Sequence, residues 1–88
     1  MPRHQDHGLN TYNALDKFLG NKDSKKYNKN CTIFRSTINN EISKKCKVII
    51  VRLYSTNIVT HFEYGECFIT TGGYDTQTTK RYIAGFSH

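Results

Sequence analysis

No stretch of this chain is apolar for long enough to cross a bilayer, which takes about 20 residues in a helix. Its opening, Met1-Pro2-Arg3-His4-Gln5-Asp6-His7, also lacks the apolar centre of a signal peptide. A soluble protein is expected, cytosolic, nuclear or carried in a virion, with no membrane partner. Cysteine is scarce: Cys31, Cys46 and Cys67 form an odd, widely spaced set with no C-x-x-C pair. That argues against a disulfide framework. All three lie in or beside apolar strand segments, where cysteine serves as a small hydrophobe; a zinc site built on His61 and Cys67 is the alternative. Acidic residues are few as well, 7 Asp plus Glu in all, and too scattered for a two-metal nuclease. No P-loop, Rossmann or EF-hand spacing occurs, and Gly72-Gly73 lacks the lysine and hydroxyl spacing of a phosphate cradle. His61 and Glu63 are the one histidine–carboxylate pair with defined spacing. They read as a solvent-facing polar pair opposite core-facing Ile58, Thr60 and Phe62, with the active-site pair of a hydrolase as the alternative. The expectation is a protein without catalysis, cofactor or metal.

What is present is positive charge and aromatic rings. Thirteen Lys plus Arg give a net charge of +6 and a pI near 9.4. Such an excess on a small body attracts polyanions and speeds encounter with them. The 88 residues are 36% apolar, with five Phe and six Tyr supplying large buried areas. One small domain over 9–88 is expected, preceded by a loose arm over 1–8.

Tyr12, Leu15, Phe18 and Leu19 recur at helical spacing, with Asn10 or Thr11 as cap and Gly20 as stop. Residues 21–30 are polar apart from Tyr27 and read as a cationic loop or frayed helical turn. Strands are predicted at Cys31–Arg35, Cys46–Tyr54, Ile58–Glu63 and Cys67–Thr71, with Asn39-Asn40 and Ser55-Thr56-Asn57 as turns. Cys46–Tyr54 is apolar on both faces, which predicts a central strand covered on each side, with Arg52 near its exposed end. Gly65 turns a hairpin, Gly72-Gly73 ends the sheet, and Thr76 or Thr78 caps a closing helix through Phe86. The fold class expected is α+β: a four-stranded antiparallel β-meander flanked by a short N-terminal and a short C-terminal helix.

Several blocks recur in a known order. They are Gly20-Asn21-Lys22-Asp23-Ser24-Lys25-Lys26, then Asn30-Cys31-Thr32-Ile33-Phe34-Arg35, then Val51-Arg52-Leu53 with Thr56-Asn57-Ile58-Val59-Thr60, and Thr71-Gly72-Gly73-Tyr74-Asp75-Thr76-Gln77-Thr78-Thr79-Lys80. In these blocks the chain from Phe18 to Phe86 resembles a group of small proteins encoded by bacteriophages and some large DNA viruses. It departs at Tyr74, where that family usually has tryptophan, at Cys31, where it usually has threonine, and in a longer link over Thr37–Lys45. The resemblance implies viral origin, a similar fold, and a location in the host cytoplasm or the virion. It implies no reaction.

Two sequence regions suit a nucleic-acid backbone. Lys22, Lys25, Lys26 and Lys29 surround Tyr27, a pattern that can track phosphates and stack on a base. The hydroxyls of Thr76, Thr78 and Thr79, with Lys80 and Arg81, open the final helix, where free amides and the dipole favour an anion. With Arg52 these residues make a candidate phosphate-binding surface for DNA or RNA. The alternative is a protein-interaction module, an inhibitor of host defence or a subunit of a viral assembly, anchored by Tyr54, Tyr64 and Tyr74.

Overall fold

Residues 8–39, 45–73 and 76–87 are described by the computed structural model. The expected arm over 1–8 therefore lies outside them except for Gly8, as do residue 40 of the Asn39-Asn40 turn, Lys44, and Tyr74.

Helix α1 spans Tyr12–Leu19 and begins as its residues require. Thr11 is extended, and its hydroxyl oxygen accepts from the Ala14 amide at 3.1 Å. Gly20, at φ 61°, ends the helix by donating its amide to the Asp16 carbonyl. Five strands follow: β1 Ser24–Asn28, β2 Cys31–Asn39, β3 Lys45–Leu53, β4 Thr56–Phe62 and β5 Cys67–Ile69. They form one antiparallel sheet in the order β1-β2-β3-β4-β5. Helix α2, Gln77–Phe86, closes the chain with Thr76 as its cap.

The architecture is α+β with five strands among the described residues, one more than the four expected. The added strand is β1, in the segment read as a loop. Ser-Lys-Lys-Tyr-Asn has little strand propensity of its own; its ladder comes from β2, with Ser24 opposite Phe34 and Lys26 opposite Thr32. As a short lysine-bearing edge it also discourages pairing with another sheet.

Both helices pack on the same face of the sheet. Leu15 and Leu19 of α1 and Phe86 of α2 share a core with Cys31, Ile33, Ile49, Val51, Leu53, Ile58 and Val59. Tyr27 joins the two helices there, with its ring 6.4 Å from Phe18 and edge-on to Phe86 at 5.1 Å. Strand β3 is central, as expected, but the helices cover one of its faces and not both. Val48 and Ile50 point to the other face and are hidden between cross-strand neighbours: Ser36 and Phe62 beside Val48, Phe34 and Thr60 beside Ile50.

Two bulges set which residues point inward. Val51 pairs with Val59 while Arg52 pairs with Asn57, so Ile58 is the extra residue on β4. Ile58 and Val59 both enter the core, and the alternation beyond them changes phase. His61 is consequently buried, 1% exposed, where a solvent-facing residue was expected. Its Nε2 pairs with the Phe86 carbonyl at the end of α2. Thr60 and Phe62, expected in the core, take the open face. On β1 the same device inserts Tyr27 between Lys26 and Asn28 and turns its ring inward.

Gly72 follows β5 at φ 60°, and a Cβ placed there would lie 2.4 Å from Thr56 Cγ2. A stiff β-branched neighbour leaves no room for it, which accounts for the first glycine of the double-glycine segment.

Candidate nucleic-acid interface

The register sorts the open face into rows. Lys26, Thr32, Arg52 and Asn57 lie side by side across β1 to β4. The next row runs Ser24, Phe34, Ile50, Thr60 and Phe68 across all five strands. Beyond it come Ser36, Val48 and Phe62. Adjacent strands stand about 4.8 Å apart, so Lys26 and Arg52 are separated by about 10 Å along their row. One end of the face is cationic and the middle is aromatic.

Arg52 links the two regions. Its guanidinium sits 4.8 Å from the Phe34 ring centroid, and its Nε donates to Asn57 Oδ1 at 2.9 Å. These partners are an aromatic ring and an amide, so its charge is held in place without being offset by them. Phe68 is 63% exposed and Tyr64 60%, with the Tyr64 ring 5.3 Å from that of Phe62. None of the five strands contains an Asp or a Glu. The described acids, Asp16, Asp23, Glu63 and Glu66, sit on α1 and in turns.

The residues singled out from the sequence do not form one cluster. Lys26 and Arg52 share a row on the open face, and exposed Lys29 lies in the turn next to it. Lys22 is exposed at the opposite end of β1. Lys25 points to the helix side, where its Nζ lies 4.6 Å from the Phe18 ring centroid and donates to the Phe18 carbonyl at 3.3 Å. Tyr27 is half-buried on the helix side of the sheet, packed against the core between Phe18 and Phe86, and so does not belong to the open face. At the start of α2, Thr76 Oγ1 accepts from the Thr79 amide and donates to Thr79 Oγ1 at 3.0 Å. Thr79 is 4% exposed and occupied in this cap. Thr78, Lys80 and Arg81 are exposed, but on a helix that packs against the covered face. A cavity of about 280 Å³ beside this helix start is lined by Leu53, Tyr54, Ser55, Ile58 and four threonines, with no cation among them.

The sequence alone does not single out Phe34, Phe62 and Phe68. Their signal is the run Thr32-Phe34-Ser36, alternating on one side of a strand, and its meaning requires the register.

Arg35 has a structural task. Its Nη2 donates to the Gly20 carbonyl at 2.9 Å and the Asp16 carbonyl at 3.4 Å, its Nε to the Lys22 carbonyl at 3.2 Å, and its Nη1 pairs with Asp16 Oδ1. It fastens the end of α1 to the sheet.

For metal chemistry, His61 and Cys67 are cross-strand partners. His61 Nε2 is engaged with the Phe86 carbonyl, and no group of three His, Cys, Asp or Glu side chains gathers among the described residues. Burial pushes the Cys31 thiol up to about 12, which suits a packing residue rather than a nucleophile. No described helix is long and apolar enough to cross a membrane.

No protein-family model, curated protein or solved structure matches the chain.

Proposed function

We propose that this is a small non-enzymatic viral protein that binds nucleic acid through its phosphates, on the open face of the sheet. The observation that carries this reading is a sheet without a carboxylate on any strand, with Lys26 and Arg52 in one row and Lys29 beside them. A polyanion laid along that row meets cations and no like charge. The viral setting rests on the sequence blocks described above, and places the protein in the host cytoplasm or the virion.

Three cations in contact, Lys26, Lys29 and Arg52, give a slope of about −2.5 in log K against log salt concentration. Raising salt from about 50 to 200 mM should then weaken binding by about 30-fold. Anisotropy titration of a labelled oligonucleotide measures this directly. A flat salt response would reject the reading.

The exposed rings of Tyr64 and Phe68 favour a second reading, a protein-interaction module directed at a host defence factor or a viral assembly. Recovery of one stoichiometric protein from infected cells, insensitive to nuclease, is the result expected of it.

A further inference from the structure

Resting on the phosphate-binding reading, we propose that the ligand is single-stranded, with its bases stacked on the aromatic residues of the open face. The backbone would run past Lys26, Lys29 and Arg52, and unpaired bases would lie over Phe34, Phe62 and Phe68.

Three features of the face lead there. The rings lie beside the cations: Phe34 adjoins the Lys26–Arg52 row, Phe68 lies in the same row as Phe34, and Phe62 follows in the next. A base one step from a bound phosphate therefore meets an aromatic side chain. Arg52 also lies over the Phe34 ring, 4.8 Å from its centroid, and a planar guanidinium is itself a surface on which a base can stack. Finally, Phe68 is 63% exposed, on the three-residue edge strand β5.

Charge and shape together choose among occupants. An apolar protein surface would gain from the rings but nothing from the carboxylate-free strands. A duplex would gain from the cations, but its bases are already stacked and paired, so their faces cannot reach a sheet. A single strand uses both, since every unpaired base offers a π-face.

The test compares labelled oligothymidine of about 15 nucleotides with a duplex of the same length, using the full chain and the Phe68→Ala and Arg52→Gln variants. Phe68→Ala is suited to this because its exposed side chain can be removed with the fold intact, which circular dichroism would verify. The single strand should bind at least about tenfold more tightly than the duplex, and Phe68→Ala should weaken it by about 5- to 100-fold while leaving duplex affinity unchanged. Arg52→Gln should lower affinity for both and flatten the salt slope by about 1. Equal affinity for single strand and duplex, unaltered by Phe68→Ala but still steeply salt-dependent, would overturn the stacking proposal and leave phosphate binding standing. Absence of binding to either would overturn both. So would self-association abolished by Phe68→Ala, which would assign the face to a protein contact.

Discussion

Phe86→Ala should cost about 3–5 kcal/mol of folding free energy, enough to lower the melting midpoint by about 15–30 °C in a domain of this size. The side chain is 1% exposed. It takes the Tyr27 ring edge-on at 5.1 Å and stacks with Tyr82 at 6.3 Å. It thus joins β1 and α2 to the shared core, and its removal leaves a cavity that neither a bulged edge strand nor a terminal helix is placed to fill. The His61 contact is to the backbone carbonyl of Phe86 and survives the substitution, so the measured loss reports packing. Phe68→Ala is the control, at less than about 0.5 kcal/mol, because its side chain is already in water. Denaturant melts of the two variants, read by circular dichroism, would decide. A loss under about 1 kcal/mol for Phe86→Ala would mean that α2 does not dock where described.

Arg35→Ala should cost about 2–3 kcal/mol, and mostly not through its ion pair. The guanidinium serves three carbonyls, those of Asp16, Gly20 and Lys22, in addition to the Asp16 carboxylate. Asp16 has a half-exposed side chain, so screening keeps that pair's contribution small, and Asp16→Asn should cost less than about 1 kcal/mol. Removing the arginine instead takes its donor from the Gly20 and Lys22 carbonyls just beyond α1, while the Asp16 carbonyl keeps the Gly20 amide. Arg35→Lys should recover only part of the loss, since one ammonium cannot reproduce a planar fork. The effect should persist in about 1 M salt, where surface ion pairs are screened within about 3 Å. Equal damage from Asp16→Asn would show that the charge pair, and not the carbonyl contacts, holds the helix end.

Where residues announce themselves locally, the sequence reads correctly. Tyr12, Leu15, Phe18 and Leu19 mark α1, Gly20 stops it, and Thr76 caps α2. The β-branched run from Val48 to Val51 fixes the central strand. What escapes the sequence depends on distant partners. Strand β1 has one apolar residue and exists because β2 offers it a ladder. The burial of His61 follows from one extra residue at Ile58, which reverses the alternation after it. Arg35 looks like any strand arginine until the end of α1 is placed beside it. The candidate site divides in the same way. The cationic character of the chain is plain in its composition, whereas the sorting of Lys26 from Lys25, and the row of Phe34 and Phe68, are properties of register alone.

The most direct test of the account is a map of amide chemical-shift changes in the isotope-labelled full chain as a short oligothymidine is added. The account predicts that the changes concentrate at Lys26, Lys29, Thr32, Phe34, Arg52, Phe62 and Phe68, with α1 and α2 unaffected. Changes confined to Thr78, Lys80 and Arg81, with the sheet residues silent, would contradict it.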